Sequence, residues 1–364
     1  MPRRCKFAGQ QLSGSGYHRA KVYHKMVMQT ACIPTRTDRE TRLLCSLDEA
    51  VSAYCSGETR TIDSGAVVER VLAAMHQELR AQDGATQWIY LRVAVKPGAQ
   101  TSVAICEVAS CIDECNNHVA ISQWWWLNKW DPLGPALRVR IQTPTASARE
   151  TTHLLLSCLE KRGLEATLPR YEPELLLFGG HDGIEIAHRL FAIDSMFLVS
   201  WLRSTEARNL PVVPPGLSFA LVMHLARGAG LDLFEQWDLF DRLAAKRTAG
   251  PEQNATEASC IRIVKQLLAA PAESLLPIFS DPLRVLVKKH LDNLQNVGMQ
   301  IAQAYFGGRL DCGLREFLVP VVLFHWNRIG LAASAQGGFA RAAAQELRHL
   351  SREGREARNA TTPA

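Results

Sequence analysis

At 364 residues and 47% hydrophobic composition, the chain has material for one large core or two ordinary ones, which excludes a disordered tail and a disulfide-stapled miniature. Its ten cysteines follow no framework spacing, so reduced, buried thiols and a cytoplasmic location are expected. No apolar run approaches the ~20 residues of a membrane span, and no apolar signal core follows the N-terminal arginines.

The net charge of +5 is uneven. Residues 1–44 carry Arg3, Arg4, Lys6, Arg19, Lys21, Lys25, Arg36, Arg39 and Arg42 against Asp38 and Glu40, a net +7 that leaves the remainder near −2. A basic arm of this kind attracts nucleic acid or an acidic peptide. It also reads as a disordered segment, or as sequence upstream of a start at Met26 or Met28.

After the arm, helical spacing occupies "SLDEAVSAYC" and residues 65–82, and "QWIYLRVAV" (87–95) alternates as a strand does. Residues 124–144 read as strand, Pro/Gly turn and strand, with Arg138 and Arg140 on one strand face. An amphipathic helix is predicted over 151–164, then helices near 185–204, 216–228, 232–246, 257–270, 282–306, 314–332 and 336–352. The layout is one α+β domain over 45–352, with a sheet-rich first half, a mainly helical second half and a polar tail at 353–364.

Chemistry is sparse on first reading. Cys111, Cys115 and His118 share a helical face, yet no CxxC pair or fourth ligand completes a zinc set, so no metal is expected. "FGG" and "YFGG" lack the lysine or third glycine of a phosphate loop, and no GxSxG elbow exists. What remains is "YEPELLLFGGHDGIEIAHRLFAIDS" (171–195), with Glu174, His188 and Asp194, together with Tyr305 before its own Gly-Gly turn and "LFHWNRIGL" at 323–331. Each has a structural reading too: His188 as a satisfied core histidine, Asp194-Ser195 as a helix contact, Asn327-Arg328 as an ion-paired packing feature.

Taken together, "WWWLNKWDPLGPALRVRI", the 171–195 stretch, "GLDLFEQWDLFDRLAAKR" and "LFHWNRIGL", in this order over about residues 86–333, resemble the C-terminal elimination domain of lantibiotic dehydratases and its stand-alone relatives in thiopeptide biosynthesis. In glutamate-eliminating members the resemblance implies an arginine where this chain has Asn128, a histidine at Ala136 and a histidine at Leu323; all three depart together. "FHWNR", with His325 two residues before Asn327, is similar instead to stand-alone pyridine synthases.

That resemblance implies a cofactor-independent, metal-free formal [4+2] cyclisation between two dehydroalanines of a ribosomal peptide. The ring closes with loss of water and leader. The expected partner is the modified precursor peptide, with other enzymes of its pathway, rather than a membrane or nucleic acid. His188 and Tyr305 are expected to handle protons, the two Gly-Gly turns facing each other across one cleft. Gln295 is expected to position substrate and His325 to complete the catalytic set. Arg138, Arg140, Glu174, Asp194, Asn327 and Arg328 are expected to bind substrate. Two alternatives stay open: a glutamate-eliminating subunit with altered residues, and a non-catalytic peptide-binding scaffold.

Overall fold

A computed structural model describes residues 85–96, 98, 100–204, 213–247, 253–268 and 270–361, all within a compact unit spanning residues 80–364. The basic arm and the helices expected before residue 83 lie outside the described residues. The sheet is built from β1 (Thr86–Ala94), β2 (Gln123–Asp131), β3 (Gly134–Pro144) and the short β4 (Ala166–Thr167), antiparallel in the order β2-β3-β1-β4. Alternation divides β1 as the sequence predicts. Ile89, Leu91 and Val93 are buried on one face, while Trp88, Tyr90 and Arg92 share the other with Arg138, Arg140 and Trp125. At the β2-β3 turn, Asp131 accepts two 2.8 Å hydrogen bonds from Arg92, which hold its carboxylate down at about 2.

Helix α1 (Thr101–Asn116) packs on α2 (Ala148–Lys161). The sequence reading saw α1 only as cysteine spacing. Cys111 and Cys115 are core residues on it, with burial raising both thiols, that of Cys115 to about 11. His118 lies exposed in the turn beyond, so the three do not converge. Among the described residues no group of three His, Cys, Asp or Glu is arranged to hold a metal.

The second half is helical: α3 (Gly180–Arg203), α4 (Pro215–Gly228), α5 (Leu233–Ala245), α6 (Gln253–Leu268), α7 (Asp281–Phe306), α8 (Leu314–Arg328) and α9 (Ala333–Thr361). Helix α9 continues through most of the expected polar tail. Asp232 caps α5 through a reciprocal pair with Glu235. No helix among the described residues is long and apolar enough to cross a membrane. Helices α4 and α7 cross at Gly228 and Gly298, where a Cβ on Gly298 would stand 2.6 Å from the Gly228 carbonyl carbon. Only glycine permits that approach.

Strand β2 is a sheet edge, and an unpaired edge exposes backbone donors and acceptors. Here α3 and α8 close it. The Trp126 amide donates to Ser195 Oγ (3.4 Å), Arg328 Nε donates to the Trp126 carbonyl (2.9 Å), and Asn128 Nδ2 donates to the Asn327 and Arg328 carbonyls, both at 3.0 Å. These bonds join sheet to helices and explain three polar residues in otherwise apolar surroundings.

Candidate functional site

Helix α3 starts at Gly179-Gly180, both with positive φ (69° and 90°), because residues 311–312 sit directly on them. A Cβ on Gly180 would meet Asp311 Oδ2 at 2.5 Å, and the Asp311 amide donates to the Gly179 carbonyl at 3.1 Å. The segment after the second Gly-Gly turn is thus packed against the first. No cleft separates them at that contact, and the expectation of a facing pair across open space is corrected.

His188 and Asp194, six residues apart on α3, enter two different buried sites. The first lies on the Trp88/Tyr90 face of the sheet. His188 is 4% exposed, its ring 4.5 Å from that of Trp88 and 5.7 Å from that of Trp125. Its Nε2 shares a 2.6 Å hydrogen bond with the Tyr171 hydroxyl. The phenol beside His188 is therefore Tyr171 and not Tyr305. Beneath them Arg140 is enclosed by aromatic faces, its guanidinium carbon 4.5 Å from the ring centres of Tyr90 and Trp125 and 5.5 Å from that of Tyr171.

Burial, with Arg140 adding to it, lowers His188 to about 4. Burial also raises Tyr171, with Glu174 adding to it. Both groups are consequently uncharged at neutral pH, a donor and an acceptor in contact. Trp88, Tyr90 and Tyr171 also line an open groove of about 470 Å³ with Leu168 and Arg170. Arg140 is too enclosed for the expected direct recognition of a peptide; Arg138, its side chain 30% exposed and 3.9 Å from Asp131, is the accessible member of the pair.

The second site is a charged knot in the helical half. Asp194 accepts from Arg328 Nη1 and lies 3.0 Å from His325 Nδ1, while His325 Nε2 is 2.9 Å from Ser218 Oγ. His290 Nε2 stands 3.6 Å from Asp194, beyond hydrogen-bond reach, with its ring stacked on Phe197 at 4.1 Å. Despite complete burial, which opposes ionisation, His325 and Arg328 hold the Asp194 carboxyl well below the usual range; burial lowers His290. Asp194, His325 and Arg328 therefore do converge, but as a buried ion-paired core whose cavity measures only about 30 Å³. Asn327 accepts from Gln336 at 3.1 Å. His290 also borders a wider groove of about 550 Å³, shared with Asp113, Trp124, Arg189 and Lys289.

Two expected residues stand apart. Gln295 is exposed on α7 against Gly228. Tyr305 is 40% exposed and packs on Phe306, itself 79% exposed. The sequence reading missed Trp88, Tyr90, Trp125, Tyr171, Ser218 and His290. Period-two alternation placed the first two on a strand face, but only the register Tyr90-Arg140-Trp125 shows what they enclose. His290 carried a weaker signal, a histidine within the apolar stripe Leu283, Val287, Leu291, Leu294.

The family model described as "Lantibiotic biosynthesis dehydratase C-term" matches residues 88–345. The chain belongs to this family. Among solved structures it is similar to the tRNA dependent lantibiotic dehydratase MibB from Microbispora sp. 107891, at TM-score 0.54 and 19% identity, over 74% of this chain and 29% of that one. It thus spans under a third of that dehydratase. It is also similar to TsrL (TM-score 0.49, 16% identity, 72% of this chain and 98% of that one) and to TbtD, a pyridine synthase from thiomuracin biosynthesis (0.44, 14%, 72% and 99%). At these identities the likeness concerns the fold. No curated protein sequence matches the chain.

Proposed function

We propose that this chain closes a six-membered nitrogen ring in a ribosomal peptide by formal [4+2] addition between two dehydroalanines, releasing water and the leader. Family membership places it among lantibiotic dehydratase C-terminal domains. The finer reading rests on one observation: the neutral, hydrogen-bonded Tyr171-His188 pair, in which Tyr171 lines an aromatic groove and His188 is buried behind it. Asn128, Ala136 and Leu323, where the resemblance implies an arginine and two histidines in glutamate-eliminating members, favour it further. Asn128 even spends its amide hydrogens on the end of α8.

The reaction first needs an amide to become its iminol, losing a proton from nitrogen and gaining one on oxygen. A phenol and an imidazole in contact pass a proton between two substrate atoms with no net charge created, which suits a buried setting. Holding the two alkenes in a near-attack arrangement contributes about 7–11 kcal/mol, so a groove that orients both alkenes supplies much of the acceleration. The same pair then serves in loss of water and of the leader amide. Arg138 and the basic residues 1–44 are the proposed contacts for an acidic leader.

Purified protein mixed with a leader-bearing bis-dehydroalanine peptide tests this by mass spectrometry. A ring product and a free leader amide support the reading. An unchanged peptide points to the scaffold alternative, and glutamate loss from a glutamylated substrate to elimination.

A further inference from the structure

Strand β1 has two edges, and they are filled unequally. Its odd residues turn their backbone groups to β3: the Val95 amide donates to the Pro135 carbonyl at 3.0 Å, and the Ala85 carbonyl accepts from the Thr145 amide at 2.8 Å. The even residues turn theirs the other way, since the Ala94 amide donates to the Glu165 carbonyl at 2.8 Å and Arg92 pairs with Thr167 of β4. Pairing between β1 and β4 stops at Arg92. The register with β3 runs unbroken from Thr86 to Ala94, so Trp88 and Tyr90 keep the orientation of Arg92. Each presents an N–H and a C=O along the β4 side, and no backbone hydrogen bond among the described residues takes them up.

The groove of about 470 Å³ lies on that side. One wall is Trp88, Ile89 and Tyr90; the other is the segment that leaves β4, with Leu168, Pro169 and Tyr171. The rings of Trp88 and Tyr90 stand 6.0 and 6.4 Å from that of Tyr171, so planar surface gathers beside the unpaired edge. Aligned backbone donors and acceptors next to a ring-lined groove are complementary to an extended peptide. A second copy of this chain fits less well, because an edge strand brings its whole sheet and the far wall leaves room for a single chain.

We propose that an extended peptide enters this groove as an added strand, antiparallel to β1 in the line of β4, with planar side chains at alternate positions. Residues hydrogen-bonded to Trp88 and Tyr90 then place their rings on the sheet face that carries Trp88 and Tyr90, and the residues between them turn to the opposite face. That this peptide is the substrate of Tyr171 rests on the function proposed above; the strand addition itself rests on the edge.

The test uses full-length protein and the peptide acetyl-Thr-Phe-Thr-Phe-Thr-amide, which holds no dehydroalanine, so binding is read apart from ring formation. In amide hydrogen exchange without peptide, Trp88 and Tyr90 should exchange at least about tenfold faster than Ile89 and Leu91, and saturating peptide should slow both. Backbone esters then replace N–H groups without adding bulk. Esters at both Phe positions should weaken binding about tenfold through loss of two hydrogen bonds, and esters at the two Thr that follow them less than about twofold. A peptide that fails to bind, that binds without slowing exchange at Trp88 and Tyr90, or that loses equally from both ester sets would overturn the proposal. Edge amides already protected without peptide would overturn it too: protection that rises with protein concentration gives the edge to a second copy, and protection at every concentration gives it to residues of this chain. Peptide binding with the expected ester pattern in a protein that forms no ring leaves the added strand standing and removes the reaction; ring formation without that pattern does the reverse.

Discussion

Helix α3 holds two buried ionisable groups, and the surroundings of each solve the burial problem differently. His188 is kept uncharged among aromatic rings, while Asp194 is kept charged by Arg328 and His325. Burying a neutral imidazole against one phenol costs little, whereas burying a carboxylate is tolerable only with its cation in place. The comparison teaches where chemistry can occur. A neutral pair whose phenol lines a groove is placed to exchange a proton through that phenol, whereas an ion-paired knot around a cavity of about 30 Å³ fixes structure.

The largest effect should come from breaking the knot. Asp194→Ala leaves the Arg328 guanidinium buried without its anion and should cost about 3–5 kcal/mol in chemical unfolding. Arg328→Met should cost a similar amount, and the double variant less than both singles combined. Strict additivity would show that the two residues are not one unit.

Next comes the sheet side. Tyr171→Phe keeps the ring and removes only the hydroxyl, so stability should fall by about 1 kcal/mol while ring formation slows roughly 10²-fold. His188→Ala should slow it at least as much. Near wild-type turnover in a folded Tyr171→Phe protein would place proton transfer elsewhere, with His290 at the wider groove the next group to test.

Acid separates the two regions. The His188 pKa is depressed to about 4 in the folded protein, against about 6.5 when unfolded, so the unfolded state binds more protons between those values. Its contribution is complete above pH 6.5 and is lost as pH falls through 4. Asp194, also depressed, gives stability present above the ordinary carboxylate range and lost only below it. Subtracting the unfolding curves of His188→Phe from wild type should remove slope between pH 6.5 and 4, whereas Asp194→Asn should alter the slope below about 4. A His188→Phe protein with unchanged slope in the upper window would contradict the assignment.

The smallest changes belong to residues outside both regions. Tyr305→Phe and Gln295→Ala should alter stability by no more than about 0.5 kcal/mol and turnover by less than about threefold. A large kinetic loss at Tyr305 would restore it to the site and demand a different arrangement of the segment around Phe306.

Local pattern determined much of this molecule. Period-two alternation in residues 86–94 and 134–144 specified two strands and put Arg138 and Arg140 on one face. The apolar stripes of α3, α5 and α7 came from 3.6-residue spacing in the same way, whereas α4 and α8 are buried nearly all round. Helix α1 was visible in the sequence only as the helical spacing of Cys111, Cys115 and His118, of which the two cysteines are core. What spacing leaves open is which faces meet. His188 and Asp194 are six residues apart and point different ways, so their partners come from remote segments: Tyr171 and Arg140 for one, His325 and Arg328 for the other. The two Gly-Gly turns announced flexible backbone in the sequence, and only the tertiary structure showed Asp311 and Cys312, beyond the second turn, packed on Gly179 and Gly180. A periodic pattern states that a side chain is buried; whether it is buried against a cation, a phenol or a methyl group depends on contacts from other segments, 17 residues away for Tyr171 and His188 and 134 for Arg328 and Asp194, and those decide its charge and what it can do.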